Sequence, residues 1–475
     1  MNSNETTLKQ TENMHRIFNI QREAQIKDPY PSLALRIDRI DRMIDMIVRN
    51  EASIIDAVMA DFESRSPFTT RFTDIVPTLD NLKYVRKNLK KWMKPEKRNS
   101  KFPLGLIGAK SKVEHVPIGV VGNISPWNFP IALALSPIGE IFGAGNRCLL
   151  KPSELSQHSS DVMAEMIGAS FDESELAVIL GGPELSAEFS KLKFNHILFT
   201  GSTSVARLVA QAAAPNLIPL TLELGGKNPV IISETADLKL AAEKLIWSKT
   251  VNGGQICLSP DTVYIPEKSV EGFVTACKDS LKKLHPNVKQ DPEYTHAISQ
   301  RHADRINDIA TDAKEKGARV IPLSDEVGEG RKILPSLILN PGPECRVTQE
   351  ETFGPLLTVV SYSQLQNVVN EINEKPKPLG LYYFGKNQEE IDKLTYETSS
   401  GGMVVNDLFA HSNQEDLPFG GVGDSGMGSY HGYDGFKNFS HAKAFYTQSN
   451  LDPFKMLRPP YSIKVMDSFK KQVKR

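Results

Sequence analysis

The feature that most constrains this chain is a change of hydrophobic period near residue 119, after which short apolar runs alternate with helical stretches. Before it, Leu33, Ile37, Ile40, Ile44, Ile47 and Val48 recur on one face and Ser32 stands as N-cap, so one helical stretch is expected over 32–62. Lys112-Val-Glu-His-Val116 then alternates as a strand does, and Val120-Val121 opens an apolar run. From there strands are expected over 147–151, 176–180, 196–200, 219–223 and 229–232, with helices over 155–169, 203–213 and after Asp237. Strand signals continue at 262–265 and through 401–406. This alternation predicts an α/β fold of right-handed βαβ units, with parallel sheets covered on both faces. A chain of 475 residues outgrows one hydrophobic core, so at least two large domains are expected.

Composition removes several classes of function. Lys and Arg number 56 against 57 Asp and Glu, a net charge of -1, which offers no footprint for nucleic acid. The four cysteines are widely spaced with no C-x-x-C pair, which points to a reducing cytoplasm and against a disulfide framework. The histidines form no H-E-x-x-H or H-x-x-x-H arrangement, and no metal is expected. The polar amino terminus lacks a secretory pattern, and the longest apolar stretch, over 131–150, is interrupted by Pro137, Glu140 and Arg147, so no membrane span is expected. The basic, mildly amphipathic tail over 462–475 reads as a solvated end or a subunit contact. No internal repeat is present.

Candidate chemistry lies at Glu223-Leu-Gly-Gly-Lys227 and Asn252-Gly-Gly-Gln-Ile-Cys257, which supply a carboxylate and a thiol. A free cysteine is most often a small buried hydrophobe, but glycine-rich polar neighbours place Cys257 in a loop rather than a core element. An unperturbed thiol, a few per cent thiolate at neutral pH, is already a strong nucleophile toward carbonyl carbon. Gly421-Val-Gly423-Asp-Ser-Gly426 matches the dinucleotide fingerprint but precedes no helical pattern, so it is expected to be a turn-rich loop. A better phosphate site is Phe199-Thr-Gly-Ser-Thr-Ser-Val205, where a strand passes through Gly201 and Ser202 into a helix start. Lys151-Pro-Ser-Glu154 ends another strand, where Lys151 and Glu154 could bracket a ribose. The Glu154 carboxylate would favour NAD over the 2′-phosphate of NADP. Plain capped turns and surface charges are the rival explanations for both segments.

Read together, these segments with Ser125-Pro-Trp-Asn-Phe-Pro130, Glu351-Thr-Phe-Gly-Pro355 and Pro418-Phe-Gly-Gly421 resemble the aldehyde dehydrogenase superfamily, in the family's order and over most of the chain. The ending through Tyr430-His-Gly432 and Phe439-Ser-His441 is similar to the class 3 branch, and within it to bacterial coniferyl aldehyde dehydrogenases. The resemblance implies that an aldehyde, aromatic such as coniferyl aldehyde or medium-chain aliphatic, is oxidised to the acid with NAD, NADP being possible. Cys257 is then the nucleophile, Glu223 the base for thioester hydrolysis, and the Asn128 amide with the Cys257 N–H the oxyanion donors. Cofactor contacts are implied for Lys151, Glu154, Gly201, Ser202, Val205, Gly225, Glu351, Phe353 and Trp127, the last with a packing role equally open.

The resemblance further implies a Rossmann-like cofactor domain (1–98 and 119–224), an α/β catalytic domain (225–407) and a β oligomerisation arm with tail (99–118 and 408–475), assembled as a homodimer. Thr250 and Ser259 depart from the family's cysteine motif and are expected to flank the mouth of the thiol pocket. Two alternatives stay open, a CoA-acylating dehydrogenase, against which Glu223 argues, and a catalytically silent protein on the same fold.

Overall fold

The computed structural model describes residues 3–473, and the chain runs through three sheets and back again. Glu96–Arg98 (β1) and Lys110–Pro117 (β2) open a small antiparallel sheet. The chain then builds a second sheet from Val120–Ile124 (β3), Arg147–Lys151 (β4), Leu176–Val178 (β5), His196–Thr200 (β6) and Leu220–Glu223 (β7). A third follows from Asn228–Ile232 (β8), Pro260–Pro266 (β9), Arg319–Pro322 (β10), Ser336–Leu339 (β11), Leu356–Tyr362 (β12), Gly380–Phe384 (β13) and Gly402–Val405 (β14). On the return Gly426–Met427 (β15) joins the second sheet and Ser440–Thr447 (β16) completes the first.

The orders are β15-β7-β6-β3-β4-β5 and β10-β11-β12-β9-β8-β13-β14, with only the β15–β7 and β10–β11 pairs antiparallel. The expected parallel α/β architecture is therefore present in both large sheets. Burial explains the near-continuous apolar strands. In β3, Val121 packs into a core with Leu135, Ile138 and Ile141, while Val120 and Ile124 belong to another core with Phe194 and Ile197. The helix Ser3–Lys27 covers that second core through Met14, Ile17 and Phe18, whose ring meets Phe194 edge-on at 5.0 Å.

Two local features differ from the sequence reading. The helical stretch over 32–62 is two helices, Leu33–Arg49 and Glu51–Phe62. Asn50 leaves helical geometry and turns both its backbone N–H and its side-chain Nδ2 onto the Met46 carbonyl, at 3.2 and 2.7 Å. A short helix, Gly432–Asn438, also forms where no periodicity announces one. Its first N–H donates to Glu140 Oε1 at 3.0 Å, so a distant buried carboxylate supplies the cap. Among the described residues no helix is long and apolar enough to cross a membrane.

One buried ion pair orders the loop after β3. Asp74 Oδ1 accepts from the Ile131 and Ala132 N–H groups at 3.0 Å each, capping the helix Ala132–Gly143. Its Oδ2 accepts from Arg65, and Arg65 Nη1 donates to the Asn128 carbonyl at 2.9 Å. Neither side chain of the pair is exposed. Asp74→Asn would keep the shape and leave the Arg65 charge uncompensated, a loss on the order of 3–5 kcal/mol. A clear drop in the thermal unfolding midpoint is expected, and an unchanged midpoint would contradict this account.

Candidate active site

Parallel pairing brings the expected residues to one side of the second sheet. Adjacent strands β7, β6, β3 and β4 all end there, with Glu223 paired to Thr200, Phe199 to Ile124, and Ile124 to Lys151. The loop carrying Trp127 and Asn128 leaves β3, Gly201 and Ser202 leave β6, and Glu223 closes β7. Ligands collect at such carboxyl edges because the loops diverge there.

The chain then crosses to the third sheet within four residues, Leu224 to Lys227. Asn228, first in β8, donates Nδ2 to the carbonyls of Cys257 and Ser259 at 2.7 and 3.0 Å and accepts from the Gly380 N–H at 2.8 Å. That buried amide ties the cysteine loop to the end of the strand that follows Glu223. The loop itself turns through left-handed backbone at Asn252, Gly253 and Gly254. At Gly254, with φ +72, a Cβ would lie 2.5 Å from the Gly354 carbonyl oxygen, so only glycine fits. Gln255 closes the turn, donating to the Asn252 and His296 carbonyls and accepting from the Ile298 N–H.

A cavity of about 390 Å³ lies against this junction, and both Cys257 and Glu223 line it. Its walls are largely apolar and carry six aromatic rings, Phe72, Phe129, Trp247, Phe409, Phe419 and Tyr430. Glu223 is 2 % exposed and neither carboxylate oxygen has a hydrogen-bond partner. Burial raises its pKa well above the ordinary carboxylate value. Burial first, then the nearby charges of Glu351 and Glu223, push the Cys257 thiol up to about 12. The thiol is therefore far less ionised in the protein alone than the ordinary cysteine assumed from sequence.

Asn128 stands beside the cysteine loop, its Nδ2 donating to the Gln255 carbonyl at 3.1 Å and its own carbonyl accepting from Asn252 at 3.0 Å. It does not line the cavity. The amide nitrogen carries a second hydrogen, which remains for another acceptor. Trp127, half-buried, packs edge-on to Phe353 at 5.5 Å and to His302 at 5.1 Å. Thr250 and Ser259 do not flank the mouth of the thiol pocket, contrary to expectation. Both are buried, Thr250 donating to the Trp247 carbonyl and Ser259 accepting from Lys249 Nζ, because their side chains turn into the protein.

The remaining expected residues form two groups. Ser202 caps the helix Thr203–Ala213 by accepting from the Val205 N–H, and Val205 is 46 % exposed beside it. Lys151 is buried, donates to the Pro152 carbonyl at 2.8 Å and is brought down to about 8 by burial, Glu154 opposing the shift. Glu154 is exposed. In the second group, a Cβ at Gly225 would meet Glu351 Oε2 at 2.4 Å, so the glycine makes room for that carboxylate. Glu351, raised to about 8 by burial and then by Asp261, also accepts from the Gly226 N–H. Phe353 has a left-handed backbone, φ 47. The Gly421–Gly426 segment is the expected turn-rich loop, and it braces β7, Ser425 O accepting from Leu224 N–H at 3.1 Å.

Sequence reasoning missed Asn228, Arg65 and Asp74, and most of the aromatic walls. Of these only Asn228 carried a signal, standing directly after Lys227 at the head of a strand where an amide has no apolar role.

Comparison with known proteins identifies the family. The family model described as "Aldehyde dehydrogenase family" matches residues 4–445. The "Probable coniferyl aldehyde dehydrogenase" of Caulobacter vibrioides is 46% identical over 470 residues, covering 97% of this chain and 97% of the relative. The "Coniferyl aldehyde dehydrogenase" of a Pseudomonas species is 45% identical over 446 residues, covering 93% of this chain and 92% of the relative. The solved structure described as the substrate-bound state of Staphylococcus aureus AldH aligns with a TM-score of 0.90 at 32% identity, covering 97% of this chain and 99% of its own. Matched over nearly its whole length in sequence and in fold, this chain belongs to the aldehyde dehydrogenase family.

Proposed function

We propose that this chain oxidises an aldehyde to its carboxylic acid through a covalent thioester on Cys257, with NAD, or NADP, as hydride acceptor. The observation that carries the reading is that Cys257 and the unpartnered carboxylate of Glu223 line one cavity. Names of the relatives support an aromatic substrate such as coniferyl aldehyde, and the aromatic walls suit a planar ring; a medium-chain aliphatic aldehyde fits the same apolar space.

In the proposed reaction the Cys257 thiol gives up its proton to water and the thiolate sulfur adds to the aldehyde carbon, and the oxyanion is held by the Asn128 Nδ2 and the Cys257 backbone N–H. Loss of one such donor typically costs about 10²–10³ in rate. Bound nicotinamide supplies the hydride acceptor. Glu223 then takes a proton from water as that water attacks the thioester, and the acid leaves with the thiol restored. Hydrolysis by a carboxylate in this position favours water over coenzyme A as acyl acceptor.

The cofactor site fits the residues present. The helix start at Ser202 offers N–H donors for a pyrophosphate, with Gly201 before it and Val205 as an apolar surface. Lys151 and Glu154 would hold the adenosine ribose. Glu351, in the space left by Gly225, would hold the ribose on the nicotinamide side, with Phe353 and Trp127 packed beside it. The edge strand β16, largely exposed, is a surface for a homodimer. A cytoplasmic location accords with the free cysteines.

Three measurements test the mechanism. Alkylation of Cys257 by iodoacetamide in the cofactor-free protein should rise roughly tenfold per pH unit between about pH 7 and 10, because only the thiolate reacts and its pKa lies above that window. A plateau near the ordinary thiol value would refute the raised pKa. Glu223→Gln should lower kcat by about 10²–10⁴ and leave a burst of reduced cofactor stoichiometric with Cys257, since acylation precedes the lost step. Steady turnover without a burst would remove Glu223 from hydrolysis. Gly225→Ala should raise the KM for the cofactor by roughly tenfold through displacement of Glu351; an unchanged KM would remove Glu351 from cofactor binding.

A further inference from the structure

The charge pattern of the cavity goes beyond its apolar walls. Cys257 and Glu223 lie at its buried end, whereas Phe72, Val76, Asp80 and Asn413 are exposed and mark its outer end. Among the described residues three carboxylates, Glu223, Asp80 and Glu415, line it, and no lysine or arginine does. The single histidine, His431, is held neutral by burial, which lowers it to about 4.

Glu415 is positioned rather than loose. Its Oε2 accepts from Asn81 Nδ2 at 3.1 Å, and the same nitrogen donates to buried Glu140 Oε1 at 2.7 Å. Glu140 in turn caps the helix that follows His431. This leaves Glu415 Oε1 for a donor arriving in the cavity. Starting from Phe72 at the outer end, Phe72, Trp247 and Phe409 form a chain of tilted rings at 6.3 and 5.9 Å, an apolar wall against which an aromatic body can pack.

We propose that Glu415, with Asp80 beside it at the outer end of the cavity, selects aldehydes whose far end is uncharged and carries a hydrogen-bond donor, a phenolic hydroxyl above all, and rejects aldehydes bearing a second, anionic group. The proposal rests on the aldehyde-oxidising reading above. A phenol donating to a carboxylate gains a charge-assisted bond, whereas a carboxylate entering there meets like charge with no cation to neutralise it. A methyl ether in place of the phenol fills the space and leaves Glu415 Oε1 without a donor.

The test is a kcat/KM panel on the full-length enzyme with saturating NAD, using cinnamaldehyde and its 4-hydroxy, 4-methoxy and 4-carboxy derivatives. In the wild type the 4-hydroxy compound should exceed the 4-methoxy compound by about tenfold or more, and the 4-carboxy compound should fall below cinnamaldehyde by about tenfold to a hundredfold. Glu415→Gln, and Glu415→Gln with Asp80→Asn, should shrink the hydroxy-to-methoxy ratio toward one and recover the 4-carboxy compound about tenfold relative to cinnamaldehyde. Ratios within one variant are insensitive to partial misfolding, and the wild-type panel is informative without any variant. Turnover of all four aldehydes within threefold of each other in the wild type overturns the selection, as do unchanged ratios in the variants. Absence of turnover for every aldehyde overturns the underlying oxidation reading instead, and the two failures are thereby told apart.

Discussion

The structure depends on the short crossing from β7 to β8. Four residues separate Glu223, at the end of one parallel sheet, from Asn228, at the start of the next. So short a link fixes where the sheets meet, and Asn228 uses both ends of its buried amide to hold the Cys257 loop at that junction. Neither sheet contains the thiol and the carboxylate together. Their shared cavity exists because two separately formed frameworks are joined by a link too tight to wander.

Burial governs how the two groups behave. Each charged form is disfavoured in a low-dielectric cavity, so both are driven toward neutrality, and the charges of Glu351 and Glu223 raise the pKa of the thiol further. A buried carboxylate with both oxygens unpartnered lowers stability, and its position on the wall of the cavity beside Cys257 points to chemistry rather than folding. The surrounding loops show the complementary investment. Left-handed turns at Asn252 to Gly254, the Gln255 bridges and the Arg65–Asp74 pair fix backbone that no regular element holds.

Much of the fold was legible because its signals are local. The helix Thr203–Ala213 and its Ser202 cap, the strand His196–Thr200 and the Asp237 cap coincide with the periodic pattern, since apolar spacing and capping residues act within one or two turns. The break at Asn50 escaped because apolar spacing persists across it. The helix at Gly432 escaped because its cap, Glu140, lies far away in sequence. At the site, Glu223, Cys257 and the glycines around them announced themselves by residue type and order. The raised thiol pKa, the burial of Thr250 and Ser259, and the bracing of Asn128 by Arg65 arise from tertiary packing that no linear pattern encodes.

Among the described residues no lysine or arginine lines the cavity, which also bears on what happens after chemistry. An aldehyde enters uncharged, but the proposed product is an anion formed beside Glu223 and within reach of the field of Glu415. A lining with carboxylates and no cation among the described residues gives the departing acid no opposite charge to hold it, so the same lining would make accumulation of product a weak brake on the enzyme.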